Sequence, residues 1–506
     1  MRFSGLLPLL GSFVLLSAPR SLASAKAPAP MDINADVVRM NLDKQTTEAS
    51  GNARLTYGGI TLNADQITAD KTTGDVEAAG HLALVEEGRR LEGDRLTYNF
   101  VSDKGVLHHA HVREQGVIVT GDTIDFSPQA VVAHHASFTT CDKPNPDYSL
   151  DADEITLTAA QAAPGKQPQS GRLTMNHARV TYHGHRLFSL PRYSVTVGDI
   201  GRQGTSPFPT GSFDREDGPS AQVSYSLGAS QKTTADFSYR YTSFRGIRGY
   251  LKLKRDAGPL HLQAGYIRRE ASTDRELRPD DFTTGLANVL VNREPEFRAS
   301  LPNLPVFRSL ALRTEFVRGS YSETEHFATK SRARADRTEI SALLALKPYR
   351  ITPKLSFSHA IGWREASYST GTDFSVRFLR HRLEYMPTPS MRVALSYVER
   401  HGSGETPFLF DGVDIRSELL SEARYRLNPK WRLRIVNLYD LERHDSRDMI
   451  LAATRTIHCL DYTVGWRKSR GTVFVGINLT PPAEGLGHDR AGASAPSDRI
   501  SPFGEY

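Results

Sequence analysis

The sequence predicts an all-β chain in two unequal parts: an N-terminal stack of short, bent strands followed by a C-terminal antiparallel β-barrel of the membrane-spanning kind. Three observations predict it. A strand motif broken at an aspartate recurs four times before residue 160. From about Ser220 onward, apolar and polar residues alternate in stretches of about ten, with aromatics near their ends and charge on the opposite face. The N-terminus reads as an export signal, and nothing after it approaches the run of about 18 uncharged apolar residues that a membrane helix needs.

The signal occupies residues 1–25: Arg2, an apolar run from Leu6 to Ala18, and Ala23-Ser24-Ala25 as the small-residue cleavage site. A chain of 506 residues exceeds one ordinary domain. Its net charge of +6 points toward acidic partners. An exported chain rarely meets nucleic acid, so anionic lipid headgroups or phosphorylated glycolipids are the expected ones. Arg and Lys are spread along the chain, so a solvated surface or a polar lumen accounts for them equally well.

Residues 31–190 form the expected N-terminal unit. In T-L-N-A-D-Q-I-T-A-D (61–70), Leu62 and Ala64 share one parity and Ile67 has the other, with Asp65 at the switch. Strand side chains alternate with period two, so the strand must bend or bulge there. R-L-E-G-D-R-L-T-Y repeats the break at Asp94, between Leu91 and Leu96. V-I-V-T-G-D-T-I-D-F repeats it at Asp122, between Val119 and Ile124, and S-L-D-A-D-E-I-T-L at Asp153. The four aspartates are 29, 28 and 31 residues apart, the signature of a structural repeat. Gly or Ala before each Asp lets the backbone turn, and the carboxylate is expected to accept hydrogen bonds from amides freed at the corner. Bent strands of this kind bury their apolar faces only against their neighbours. They should stack into a V-shaped sandwich with an apolar trough wide enough for lipid tails. Leu62, Ile67, Leu91, Leu96, Val119 and Ile124 are its candidate liners.

A loop is expected at 160–170, a further strand region at 172–182, and a Pro/Gly-rich connector with the start of the barrel over 191–218. The barrel is expected over 219–480, with a C-terminal tail over 481–506. Ala235, Phe237, Tyr239 and Tyr241 alternate with Asp236, Ser238 and Arg240; Met391, Val393, Leu395 and Tyr397 with Arg392, Ala394 and Ser396; Trp431, Leu433 and Ile435 with Arg432 and Arg434. A soluble sandwich would alternate too; strand length, aromatic placement and export favour the barrel. Roughly 14 to 16 such strands fit between Ser220 and Thr480, with the pattern weakest near 280–300.

Only two cysteines are present, Cys141 and Cys459. In an oxidising compartment one bridge is the simple expectation, two free thiols the alternative. Cys459 shares parity with Asp461, Thr463 and Arg467, on the polar side of its strand. Histidines 108, 109, 111, 134, 135, 183 and 185 raise a metal reading, but no Cys or acidic residue accompanies them at ligand spacing, so they are read as surface residues. No G-x-S-x-G, H-E-x-x-H or phosphate-loop motif is present, and neither a cofactor nor a catalytic role is expected.

Taken together, these residues resemble the LPS-assembly protein family of the bacterial outer membrane, LptD, also called organic solvent tolerance protein. The A-D-Q-I, G-D-R-L and G-D-T-I corners look like those of its OstA-type β-jellyroll. F-T-T-C-D-K-P-N-P-D-Y-S-L-D-A-D-E-I (138–155) is similar to the Thr-Cys segment that closes the jellyroll, and H-G-H-R-L-F-S-L-P-R-Y-S-V-T-V-G-D-I-G-R-Q-G-T-S-P-F-P (183–209) to the passage into the first barrel strand. A weaker match covers 457–479, like the last two barrel strands.

The resemblance implies a jellyroll in the periplasm joined to an outer-membrane barrel, which takes lipopolysaccharide along the groove and releases it into the outer leaflet through a seam between first and last strands. It implies a bridge between Cys141 and Cys459, and prolines at that seam, Pro207 and Pro209, although ordinary connector prolines would look the same. The implied partners are lipopolysaccharide, outer-membrane lipids, a periplasmic LPS-bridge protein of the same jellyroll type, and a plug lipoprotein inside the barrel. The chain departs from the family in lacking a second cysteine pair and in its far smaller barrel. A passive porin-like or structural barrel with a partner-binding domain is the alternative reading.

Overall fold

The computed structural model describes residues 32–479, apart from 44, 58–59, 71, 87–88, 103, 115–116, 128–129, 159–171, 197–207, 231–232, 275–276, 284–286, 308 and 326–329. The expected export signal and C-terminal tail lie outside the described residues. The chain is almost wholly β.

Twelve antiparallel strands make the N-terminal sheet: β1 (Asp32–Asn34), β2 (Val37–Asn41), β3 (Thr46–Tyr57), β4 (Ile60–Asp70), β5 (Asp75–Glu86), β6 (Arg89–Asn99), β7 (Lys104–Glu114), β8 (Val117–Phe126), β9 (Ala130–Thr139), β10 (Tyr148–Thr158), β11 (Arg172–Tyr182) and β12 (His185–Thr196). From β3 onward each strand pairs with the next, while β1 and β2 share the outer edge of β3. The parity switch seen in the sequence is a bulge. In β4, Leu62 and Ala64 are buried, Asp65 and Gln66 both face out, and Ile67 and Ala69 are buried again. The β4–β5 register slips between Asn63 and Gln66, opposite Gly80 and His81, both with positive φ. A bulge bends its strand. Repeated strand after strand, it folds the sheet on itself into a jellyroll-like unit, and residues from both arms of each strand meet in one core.

The corner aspartates do something other than cap free amides. Each carboxylate meets the side chain opposite it on the next strand: Asp36 accepts from Asn52 at 3.1 Å, and Asp65, Asp94, Asp122 and Asp153 lie 2.9, 3.0, 3.5 and 3.0 Å from Nδ1 of His81, His109, His135 and His177. All five partners sit in the left-handed region. Gly80 precedes one of them at φ +75°, and a Cβ there would lie 2.2 Å from Asp65 Oδ2.

The second part is a closed antiparallel barrel built from β13 (Thr210–Asp214), β14 (Gly218–Ser230), β15 (Thr233–Thr242), β16 (Gly246–Ala257), β17 (Leu260–Ala271), β18 (Val289–Phe307), β19 (Leu310–Glu325), β20 (Ala333–Leu346), β21 (Tyr349–Thr352), β22 (Leu355–Tyr368), β23 (Asp373–Thr388), β24 (Met391–Gly404), β25 (Ser417–Asn428), β26 (Trp431–Asp440), β27 (Asp445–Ile457), β28 (Leu460–Arg467) and β29 (Thr472–Leu479). β20 and β21 both pair with β22 and count as one interrupted strand, so the barrel has sixteen. Outward positions carry Phe237, Tyr241, Leu251, Trp363, Leu383, Ile435 and Val475, all exposed; inward positions carry buried Arg240, Arg248, Lys252, Arg364, Arg434 and Asp448. Polar-inside, apolar-outside is the pattern of a barrel standing in lipid. No described helix is long and apolar enough to cross a membrane. Turns at the end nearest the jellyroll are short, as at 389–390, 429–430 and 458–459; the far end carries the longer loops 272–288 and 405–416.

Two stretches differ from the sequence expectation. Within 191–218, expected as connector and start of the barrel, β12 continues to Thr196 and β13 begins at Thr210. Pro191 falls opposite His177, at a position left out of the paired register, where its missing amide hydrogen costs no ladder bond. The weak pattern near 280–300 divides into the tail of the 272–288 loop and the start of the long strand β18.

Candidate functional site

One apolar cluster fills the jellyroll and does not stop at its end. It includes Leu55, Leu62, Ile67, Leu91, Leu96, Leu107, Ile124, Phe138, Tyr148, Leu150 and Tyr193, then Phe208, Leu460 and Leu479, with Tyr225, Tyr462 and Ile477 packed against it. Of the candidate groove residues, Leu62, Ile67, Leu91, Leu96 and Ile124 lie in the cluster, each at most 4 % exposed, and Val119 is half-buried against it. The structure thus brings all six to one interior. Tyr225, Leu460, Tyr462, Ile477 and Leu479 hold the outward, lipid-side parity of β14, β28 and β29. The jellyroll interior therefore runs onto the outer face of the barrel beside the strands that close it.

A covalent and polar clamp fixes this junction. Cys141 and Cys459 form a disulfide, Cα–Cα 5.1 Å, across 318 residues. The expectation rested partly on Cys459 facing the lumen with Asp461, and that premise fails: Cys459 lies in the β27–β28 turn, and the jellyroll docks on the opposite, outward parity. Beside the bridge, Asp147 accepts from Lys143 Nζ at 3.0 Å and pairs with His458 Nδ1 at 3.0 Å. Burial pushes its carboxyl up, and Lys143 and His458 outweigh that and hold it below the usual carboxylate range. Tyr182 and Tyr462 share a hydroxyl hydrogen bond of 3.1 Å across the same junction. Tyr148, enclosed under the cysteine loop with its hydroxyl 3.0 Å from the Thr140 amide, is pushed up to about 12 by burial. Among the described residues the only group with metal-ligand geometry is Cys141, Asp147 and Cys459, whose two sulfurs are spent on each other.

The barrel closes at its weakest ladder. β13 is five residues long, and only Gly211, Ser212 and Phe213 pair with β29, against eight pairs between β28 and β29. Pro209 is exposed and immediately precedes β13; Pro207 lies outside the described residues. At the far end of this seam Arg470, from the β28–β29 turn, donates to Asp214 Oδ1 at 3.1 Å and to Asp217 Oδ2 at 2.5 Å, and Arg248 also pairs with Asp217. Asp214 and Asp217 are fully buried. This latch spans more than 250 residues of sequence and carries no local pattern, so it was not readable from the chain.

The far half of the lumen is occupied by its own loops. From 405–416, Asp411 receives Arg337 Nε at 2.6 Å, Arg364 Nη1 at 2.8 Å and the Tyr368 hydroxyl at 2.6 Å, and Phe410 stacks on Tyr321. From 272–288, Asp280 pairs with Arg380, and the Asp281 carbonyl accepts from Arg400 Nε at 2.8 Å. Of the histidines expected at the surface, His109 and His135 are exposed and His134 half-buried, and each meets an aspartate of the neighbouring strand, Asp94, Asp122 and Asp125.

Residues 32–130 match the family model described as LptA/(LptD N-terminal domain) LPS transport protein. The chain is 22 % identical over 283 residues to the LPS-assembly protein LptD of Acinetobacter baylyi, covering 53 % of this chain and 32 % of that protein. It is 26 % identical over 254 residues to LptD of Hahella chejuensis, covering 48 % and 30 %. The matched region thus spans about a third of the length of these curated relatives. Among solved structures, LptH of Pseudomonas aeruginosa, titled the LptA homologous periplasmic component of the lipopolysaccharide transport device, aligns with 19 % of this chain and 75 % of its own, at 20 % identity and a TM-score of 0.18. A porin of Rhodopseudomonas blastica aligns with 54 % and 96 %, at 10 % identity and a TM-score of 0.30. The N-terminal family match and the named relatives, on a chain whose jellyroll-like sheet is bonded to a sixteen-stranded barrel, support its assignment to the LPS-assembly protein LptD family.

Proposed function

We propose that this chain works at the bacterial outer membrane in lipopolysaccharide assembly, with the jellyroll in the periplasm and the barrel in the bilayer. The observation that carries the reading is the unbroken apolar cluster from the jellyroll interior to the outer face of β14, β28 and β29. Acyl chains lying among Leu62, Ile67, Leu91, Leu96, Val119 and Ile124 would reach lipid without crossing a polar surface, gaining about 0.8 kcal/mol per buried methylene over water. The sugar enters the polar lumen, and the three-residue seam beside Pro209 parts to let the molecule out sideways. Pro207 is assigned to the same seam.

The route in is the free edge of the jellyroll. β2 exposes Val37, Val38 and Met40 along a strand edge that pairs on one side only, with β3. Such an edge suits strand addition by a periplasmic bridge protein of the same jellyroll type. Asp280 and Asp281 of one far-end loop and Phe410 and Asp411 of the other occupy the lumen, which weighs against a plug lipoprotein inside the barrel and against a passive porin. No hydrolysis or cofactor enters this reading. Photocrosslinking from Leu91 or Val119 in cells tests it: crosslinks to lipopolysaccharide are expected, and crosslinks to protein alone would favour the porin-like or structural barrel instead.

A further inference from the structure

We propose that a row of luminal arginines at the jellyroll end of the barrel is the seat for the phosphorylated saccharide headgroup of the transported lipid; this rests on the lipid-transfer reading above. Arg392, Arg424 and Arg434 are directly opposite one another on β24, β25 and β26, and Arg426 directly opposes Arg432 one row below. Like charges in opposed positions on a sheet repel, so a fold seeking only stability would not align them. Arg382 of β23 reaches the same group, 3.9 Å from Glu422.

Three carboxylates hold the fan in place. Glu422 accepts from Arg424 and Arg434 at 2.9 Å each, Glu384 from Arg392 at 2.6 Å, and Asp461 pairs with Arg432. Six guanidinium groups against three carboxylates leave a net positive surface. Arg382, Arg392, Arg424 and Arg432 are between 17 % and 35 % exposed, so the charge faces the lumen's water.

The far half of the lumen is built otherwise. There Arg293 meets Glu270, Arg400 meets Glu418, Arg467 meets Asp448 and Arg337 meets Asp411, all nearly sealed from solvent. Those pairs close a wall, whereas the row near the jellyroll is partly open to the lumen and carries the excess of positive charge. Guanidinium forks match phosphate oxygens in pairs, which selects phosphorylated sugar over neutral sugar. Asp461 also stands between Leu460 and Tyr462 on β28, both of which belong to the apolar junction. One strand end thus presents a greasy side to the tails and a cationic lumen to the head.

The test uses the full chain folded in detergent, titrated with a bis-phosphorylated glycolipid and with its phosphate-free counterpart. Arg392→Gln/Arg424→Gln is expected to weaken binding of the phosphorylated probe about tenfold and leave the phosphate-free probe unchanged, with Arg392→Lys/Arg424→Lys restoring part of the loss. The Gln variant also removes the guanidinium donors that Glu384 and Glu422 accept from, so binding is read at a temperature where parent and variant are both folded. Equal binding of the phosphorylated probe, an equal loss for both probes, or full displacement by equimolar inorganic phosphate would each overturn the proposal. Crosslinking from Leu91 is read separately: if it persists while the Gln variant binds normally, the arginine seat falls and lipid transfer stands; if it is absent while the seat binds, the reverse holds.

Discussion

The interiors of the jellyroll and the barrel are made by the same means, consecutive antiparallel hairpins, and they hold opposite chemistry. In the jellyroll the long strands change face at the aspartate corners, as β4 does at Asp65, so both arms turn their apolar residues inward and the charged corners outward. In the barrel the strands close into a cylinder wide enough for a polar lumen, and the same alternation places arginine and carboxylate inside and leaves the apolar side to the bilayer. The bulge therefore decides which face of an alternating strand becomes an interior. A molecule that fits both compartments in turn must itself be amphipathic, with long tails and a charged head.

The largest effect expected from breaking this pairing of compartments is loss of the bond between them. Cys459→Ser removes a crosslink closing 318 residues, which the chain-entropy model values at about 5 to 6 kcal/mol. The jellyroll should melt earlier. Identical melting of oxidised and reduced protein would show that noncovalent docking alone holds the two parts together.

Next comes the seam. Arg470→Ala takes from fully buried Asp214 its hydrogen-bonding arginine and leaves only Arg240, 4.0 Å away, a loss of about 3 kcal/mol for a broken buried pair. The barrel should lose its folded gel mobility at lower temperature, and planar-bilayer conductance should rise. Unchanged conductance and mobility would mean that the three backbone pairs of β13 and β29 suffice by themselves.

A matched pair of truncations contrasts the interiors directly. Leu62→Ala, in the apolar core, should cost about 2 to 5 kcal/mol. Thr454→Ala, which removes a luminal hydroxyl bonded to Thr463 at 2.9 Å, should cost about 1 kcal/mol. Denaturant midpoints compare them, and similar losses would contradict the view that only the jellyroll interior depends on close apolar packing.

How much of this was readable in the chain follows from the range of the interactions. The corner at Asp65 was legible because a bulge shifts parity within one strand, and its recurrence at Asp94, Asp122 and Asp153 made the repeat plain. The histidine partners were missed although a signal exists: His81, His109, His135 and His177 each precede a buried Leu or Ala, on the strand facing the aspartate. Cys141 and Cys459 were paired correctly on compartment and resemblance, while the parity argument failed because strand parity does not extend into a turn. The Arg470 latch and the Asp411 plug join strands far apart in sequence, and alternation reports only which face a residue takes, never which strand lies opposite.

The junction adds a dependence on pH. Asp147 is held below the usual carboxylate range, so its contribution is present above the ordinary carboxylate pKa and is lost as pH falls through the lowered value. Asp147→Asn should lower the melting temperature of the jellyroll at neutral pH by the loss of about 1 to 3 kcal/mol, and the gap to wild type should close in strong acid. A gap that persists there would assign the effect to packing rather than to the charge shared with Lys143 and His458.

The smallest effect is expected at the corners, where Asp65 and His81 are both solvent-exposed. The Asp65 hydrogen bond, and then its charge, raise His81 above the ordinary imidazole range. A raised folded value means that the pair contributes below the ordinary imidazole pKa and that the contribution fades as pH rises through the raised one. Asp65→Asn should therefore melt slightly below wild type at pH near 5 and together with it well above neutrality. If the difference is instead the same at both ends, the aspartate acts by shaping the bulge around Gly80 and His81, and the jellyroll corner would then be set by backbone geometry alone, in line with the Asp36–Asn52 corner, where the carboxylate meets a neutral amide instead of an imidazole.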